Sequence, residues 1–338
     1  MKILLLQLKR IGDLVLTTPA IAAVREKFPD AQITLIVAAG SAELLPAISG
    51  VDQTYIARGQ IRDAAAWFNV ARRGYDYCVD FTHSDRSAFL TVLSAARKRV
   101  TASHARRQSK LRALGYNELV ESSLRLSHTV DYNLALLEPL GIRGASQQAQ
   151  LRLPPSPIEQ AARVLEREDV AGEFVLLHPG SARIEKFWEP ERWARLIDFA
   201  AERQLACVVT GGSAPLEQDH LAQIKRHAGQ PFVDLSGKID LLTLAALIKR
   251  ARLLTTVDSA PMHLASATQT PQVVLFGPTN PLHWRPRFCP AVVVQAGHAE
   301  PLTEFTPAQK RAAMNQISTA QVIDAMKALL AVPRSASV

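Results

Sequence analysis

The chain has 338 residues, 48% of them hydrophobic, and carries a formal net charge of +8. That length is comfortable for two domains and the apolar content fills two cores, which excludes a disordered chain. Glycine and proline are scattered, with neither an internal repeat nor a low-complexity tract, which excludes a solenoid or fibrous class.

Taken from the start, Met1-Lys2 and the apolar residues 3–8 have the outline of a signal peptide. The run is too short, however, and meets Lys9-Arg10-Ile11-Gly12-Asp13 without a small-residue cleavage site, so it reads as a buried first strand. No segment approaches the roughly 20 apolar residues of a bilayer span. Cys78, Cys207 and Cys289 are odd in number and lie in or beside apolar runs, which suits buried thiols in a reducing cytoplasm. The expectation is a cytoplasmic protein, soluble or peripheral to the inner membrane.

After the first strand the chain alternates. Residues 9–13 read as a glycine-containing loop, 18–28 as a helix and 32–37 as a second strand. Further strands fall near 52–56, 75–81 and 97–101, with helical patterns near 61–73, 85–95 and 127–140. Strands alternating with helices of about 10–15 residues indicate βαβ units and a mainly parallel sheet covered on both faces. Arg97, Lys98, Arg99, Arg106, Arg107, Lys110 and Arg112 crowd one short segment. A solvated loop face, a phosphorylated partner and an anionic membrane surface each suit that density. Nucleic acid does not, since no aromatic residues are interleaved for stacking on bases.

The pattern breaks at 141–158, where Leu153-Pro154-Pro155-Ser156-Pro157 predicts an extended linker without regular helix. A second α/β series follows. Its strands are expected at 173–178, 205–210, 231–235, 252–257 and 271–276, and its helices at 158–168, 190–203, 215–228, 241–250 and 261–268. An amphipathic segment at 306–330 closes the chain, and in proteins of this build it often packs back on the first domain.

Ligands of open parallel sheets bind beyond the carboxyl ends of the strands. Four loops there carry polar groups: residues 9–13, 178–188, 210–217, and 258–263 with Gly277-Pro278-Thr279 beside it. The run Val257-Asp258-Ser259-Ala260-Pro261-Met262-His263 reads as a strand feeding a helix whose first amides favour an anion. No Glu or Gln stands at capping-box spacing after Ser259 to occupy them. Lys186, in the loop with Gly180 and Ser181, suits a diphosphate as a point charge, or is simply a solvated lysine. Glu217, after Gly211-Gly212, suits a ribose diol, or is a first-turn helix carboxylate. Asp13, leaving the first strand, suits a general base for a hydroxyl, or an N-cap. There is no Asp-x-Asp pair, Walker loop or Gly-x-Gly-x-x-Gly, so stabilisation by Lys186 and helix amides without metal is the simpler scheme.

These pieces, in order, resemble glycosyltransferase family 9, the bacterial heptosyltransferases of the lipopolysaccharide inner core. The match rests on Arg10-Ile11-Gly12-Asp13 through Pro19, His128-Thr129-Val130-Asp131 with Asn133-Leu134, His178-Pro179-Gly180-Ser181 with Lys186-Phe187-Trp188, Thr210-Gly211-Gly212, Asp258-Ser259-Ala260 with His263, and Phe276-Gly277-Pro278-Thr279. The resemblance implies a GT-B architecture of two Rossmann-like domains facing a cleft. Residues 1–150 would bind the acceptor and 151–338 the nucleotide sugar. It implies inverting, metal-independent transfer of heptose from ADP-heptose to a lipopolysaccharide core acceptor, with no cofactor. Asp13 would be the base and Lys186 the diphosphate cation, with Gly180, Ser181, Gly211, Glu217, Asp258, Ser259, Ala260, His263, Gly277, Pro278 and Thr279 around the donor. Arg10, Arg97, Lys98, Arg99, Arg106 and Arg107 would meet the acceptor's phosphates. This chain has Ala260 where the family usually has glycine, and no cysteine in Arg311-Ala312-Ala313-Met314, where many members carry Cys-Met. A related transferase with another donor or a non-core acceptor, and a sugar-nucleotide-binding protein without transferase activity, are the alternatives.

Overall fold

The first strand, β1 (Lys2–Gln7), is apolar because it is covered on both faces: Ile3 to Leu6 are all fully buried. We describe the protein from a computed structural model that covers residues 1–59, 63–105, 109–305 and 312–333. Arg106 and Arg107 lie outside the described residues. The chain divides into two compact units, Met1–Arg152 and Leu153–Val338.

In the first unit, β1 is followed by α1 (Ile11–Val15), α2 (Thr18–Lys27), β2 (Gln32–Ala38), β3 (Gln53–Ala57), α3 (Ala64–Arg72), β4 (Tyr77–Asp80), α4 (Asp85–Leu93), β5 (Lys98–Ala102), α5 (Lys110–Ala113), β6 (Glu118–Val120) and α6 (Thr129–Ala135). The strands form one parallel sheet in the order β3-β2-β1-β4-β5-β6. Its order reverses between β1 and β4, the point at which such sheets open a crevice beyond the strand ends.

The second unit repeats the scheme with α7 (Pro155–Arg167), β7 (Phe174–His178), α8 (Pro190–Ala201), β8 (Ala206–Val209), α9 (Pro215–His227), β9 (Val233–Asp234), α10 (Leu241–Arg250), β10 (Leu253–Val257), α11 (Ala260–Thr268), β11 (Gln272–Phe276), β12 (Ala291–Gln295) and α12 (Thr319–Ala331). Its parallel order, β12-β11-β10-β7-β8-β9, reverses between β7 and β10. The two sheets therefore share one topology, each with its switch point beside its own first strand.

Several expectations change. Residues 9–13 are not all loop, because Asp13 lies in the first turn of the short helix α1. The proline run does not exclude helix: α7 begins at Pro155, where a missing N–H costs nothing. β6 and β12 fall where no strand was expected. The final helix, α12, buries Val322, Ala325, Met326 and Leu329 in the core of its own unit with Val175, Trp193 and Leu253. Among the described residues no helix is long and apolar enough to cross a membrane.

Candidate active site

In the first unit Asp13 sits one turn into α1, directly beyond the carboxyl end of β1. Among the described residues no hydrogen bond or ion pair engages its carboxylate. Its backbone, by contrast, is tied down. Thr17 donates to the Asp13 carbonyl oxygen at 2.7 Å. The same hydroxyl accepts from Gln7 Nε2 at 2.8 Å and Asn133 Nδ2 at 3.2 Å, and Asn133 also donates to the Leu16 carbonyl at 3.1 Å. Gln7, Thr17 and Asn133 are all buried. A carboxylate left open on a fixed backbone is arranged to meet something else.

The facing wall of this switch point comes from the exit of β4, which sequence reasoning passed over. Thr82 accepts from the Leu8 amide at 2.7 Å, which binds this loop to the end of β1. His83 adopts a left-handed backbone, φ +61°, uncommon for a residue with a side chain. It is held there by Thr101 Oγ1, 2.7 Å from Nδ1, and by a short hydrogen bond between Nε2 and the hydroxyl of Tyr132. Thr101 gives its own proton to the Asp80 carbonyl at 3.4 Å, so Nδ1 carries hydrogen and Nε2 accepts from Tyr132. Burial, with Lys9, His104 and Arg112 nearby, drives the imidazole well below its usual pKa and keeps it neutral. The adjacent residues Tyr132 and Asn133 on α6 thus brace the two walls, one through His83 and the other through Thr17. The signal for His83 was available: a polar residue at the exit of an expected strand, the criterion that selected the other loops.

In the second unit three loops meet at Asp258. Lys186 Nζ lies 2.6 Å from Asp258 Oδ2 and 2.8 Å from its carbonyl oxygen, and Thr279 donates to the same Oδ2 at 2.7 Å. The pair is nearly sequestered, with 12% of the lysine and 8% of the aspartate side chain exposed. Lys186 is placed by its neighbours. Trp188 is fully buried and donates from Nε1 to the Ile317 carbonyl at 2.9 Å, while the Phe187 ring lies 4.4 Å from that of His220. Ser259 is the N-cap of α11, and its side chain does not cap that helix start. His263 is buried one turn further on.

Glu217 accepts from the Gly212 amide at 2.7 Å. A Cβ at Gly180 would stand 2.0 Å from its carboxylate, so any side chain there would make the Glu217 carboxylate shift. Ser181 accepts from the Arg183 amide at 3.3 Å. Gly277 makes room for the buried Met314, whose Sδ would lie 2.4 Å from a Cβ there. The structure thus groups Lys186, Asp258, Ser259 and Thr279 at the switch point, with Gly180, Gly211 and Gly212 on the adjoining loops and Glu217 in the first turn of α9.

The basic triplet stands apart from Asp13. Arg97, Lys98 and Arg99 stand at the start of β5, the sheet edge opposite to Asp13. Lys98 faces Glu118 at 3.4 Å and Arg99 donates to the Gly115 carbonyl at 2.7 Å. They cannot line the β1/β4 switch point, some 13 Å away along strands that rise about 3.3 Å per residue. Arg10, at the N-cap of α1, remains on the Asp13 edge.

Burial also lowers His178 and His220 to about 4. Both are neutral when folded, whereas the unfolded chain takes up their protons below about pH 6.5. Stability is therefore complete above that pH and falls as pH drops from about 6.5 toward 4. Urea unfolding at pH 7.0 and 4.5 should show a lower midpoint in acid, and His220→Leu should narrow the gap.

Residues 65–313 match the sequence model of Glycosyltransferase family 9 (heptosyltransferase). Lipopolysaccharide heptosyltransferase 3 of Escherichia coli is 30% identical over 287 residues, spanning 81% of this chain and 83% of that protein. Among solved structures, the family 9 glycosyl transferase of Veillonella parvula DSM 2008 aligns over 97% of both chains with a TM-score of 0.84 at 24% identity. The E. coli ADP-heptose lps heptosyltransferase II aligns over 98% of both, at 0.76 and 18%. At those identities the structural likeness is one of fold, GT-B with two Rossmann-like units.

Proposed function

This chain belongs to glycosyltransferase family 9 and is a glycosyltransferase, and on that premise we propose that it moves heptose from ADP-heptose to a lipopolysaccharide inner-core acceptor. The observation that carries the donor reading is the meeting of Lys186, Asp258 and the uncapped start of α11 at the β7/β10 switch point. Of the three protons on the Lys186 ammonium, two point to Asp258, which leaves the third for a phosphate oxygen. Helix amides add partial positive charge without reorganising as the leaving group gains charge. Glu217 takes the ribose hydroxyls. Asp13, with its open carboxylate, takes the proton of the acceptor hydroxyl.

The displacement occurs in one step. The acceptor oxygen bonds to the anomeric carbon, the bond from that carbon to phosphate breaks, and ADP leaves with the electron pair. The carbon inverts, and one carboxylate suffices because the acceptor is itself the nucleophile. Lys186 supplies the charge that a divalent metal would otherwise provide, so EDTA should leave turnover within about twofold. In thermal-shift titrations ADP should raise the melting temperature at lower concentration than UDP, and a preference for UDP would remove the heptose assignment.

Asn133 acts on Asp13 through Thr17 and is a positioning residue in this scheme. Asn133→Leu, of similar volume without the donors, should cut kcat about tenfold while KM for donor stays within twofold. Equal losses in donor binding and turnover would make it merely structural.

A further inference from the structure

β7 ends at His178, which stands at the β7/β10 switch point although its imidazole has no role in the displacement. On one side its backbone is joined to β10. Thr256, its register partner there, donates to the His178 carbonyl at 2.9 Å and lies 3.4 Å, hydroxyl to hydroxyl, from Ser259 at the start of α11. The imidazole is engaged on the other side. Its Nδ1 lies 3.0 Å from the hydroxyl of Thr210, at the exit of β8, the strand across β7 from β10.

That contact fixes the tautomer. The Leu177 carbonyl, 3.4 Å from Thr210 Oγ1, receives the hydroxyl proton, so Oγ1 accepts from Nδ1–H and the free lone pair of the ring is on Nε2. Burial lowers the pKa to about 4, which keeps the ring neutral near pH 7. Nε2 meets no hydrogen-bonding group among the described residues, and although His178 is only 8% exposed this nitrogen is not sealed from solvent. His220 differs, since its Nε2 is sealed beside the Phe187 ring. A buried imidazole with one nitrogen engaged and the other open is a fixed acceptor, which a ligand has to satisfy when it displaces water.

The place of that lone pair selects what it meets. The two nitrogens of an imidazole point to opposite sides of the ring. With Nδ1 turned to the β8 exit, Nε2 is turned away from Glu217 and toward the β10 side, where Lys186, Asp258 and the first amides of α11 converge. Phosphate oxygens are themselves acceptors and are repelled by a bare lone pair. With ribose at Glu217 and diphosphate at Lys186, the next group along a nucleotide sugar, away from β8, is the sugar to be transferred, and its donors are hydroxyls. We propose that His178 is a specificity residue for that sugar, its Nε2 accepting the proton of one hydroxyl of the donor. The assignment to the sugar end rests on the transferase reading, whereas the open, fixed acceptor does not.

The test is calorimetry of the full chain with ADP, with ADP-heptose, and with ADP-heptose analogues in which one sugar hydroxyl at a time is replaced by hydrogen. His178→Phe, which keeps a planar ring without the acceptor, should weaken ADP-heptose about tenfold and leave ADP within about twofold. One deoxy analogue should lose the same tenfold on the native chain and nothing further on the variant. Equal weakening of ADP and ADP-heptose would overturn the proposal, as would a set of analogues that all bind the native chain like ADP-heptose. Nitrogen NMR of the native chain with labelled histidine needs no variant to fold. One ring protonated at Nδ1 should show its bare Nε2 shifting with ADP-heptose but not with ADP, and the absence of any such ring would also overturn the proposal. Sugar-dependent binding of this kind with no transfer to any acceptor would uphold the His178 contact and reject the transferase reading.

Discussion

Asp13→Ala lowers kcat by about a thousandfold and leaves the Kd for ADP within a few fold, when turnover is followed by ADP release and binding by calorimetry. The expectation follows from how the residue is held. Its carbonyl oxygen is fixed through Thr17, Gln7 and Asn133, while its carboxylate meets no partner among the described residues. Removing the side chain costs no internal hydrogen bond, so the fold should keep its melting temperature. What is lost is the acceptor for one proton, which matters only as the hydroxyl attacks. Asp13→Asn should be nearly as impaired, since its shape is kept and its basicity is not. Similar losses in ADP affinity and in turnover would refute the role of base.

Lys186→Ala should reduce kcat by about a hundredfold or more, because the charge that develops on the departing diphosphate loses its nearest cation. This change also harms the fold. Asp258 is 6% exposed and its carboxylate would keep, among the described residues, the Thr279 hydroxyl alone, and breaking a buried pair from one side typically costs about 3–5 kcal/mol. The two effects separate in a double variant. Lys186→Ala with Asp258→Ala should recover much of the melting temperature, since no charge is stranded, without recovering turnover. If turnover returned with stability, Lys186 would be a structural cation and the diphosphate would need another.

The second unit was more legible than the first, for physical reasons. Its candidate groups follow the carboxyl ends of buried apolar strands, Lys186, Asp258 and Thr279 in the connecting segments and Glu217 in the first turn of α9, so strand polarity alone could place them. The structure adds that they are joined to one another or to loop amides, which residue spacing does not reveal. In the first unit the groups beside Asp13 are distributed. Tyr132 and Asn133 share α6, whereas His83 follows β4 and its partner Thr101 lies in β5, and the sheet order β1-β4-β5 brings the ends of those strands to Asp13. The five-residue helix α1 is too short to show a helical period, and Pro155 looked like a breaker because its place at a helix start depends on where the helix begins. The separation of Arg97, Lys98 and Arg99 from Asp13 was legible in the sequence. Residues that open a strand lie at its amino edge, away from a site at the carboxyl edge.

The most direct measurement is mass spectrometry and NMR of the product formed by the purified chain from ADP-heptose and a truncated core oligosaccharide. The product should gain one heptose, joined with the anomeric configuration opposite to that of the donor, and Asp13→Ala should yield none in the same time. A product with retained configuration, or transfer from another nucleotide sugar but not from ADP-heptose, would contradict single displacement at the Lys186–Asp258 site.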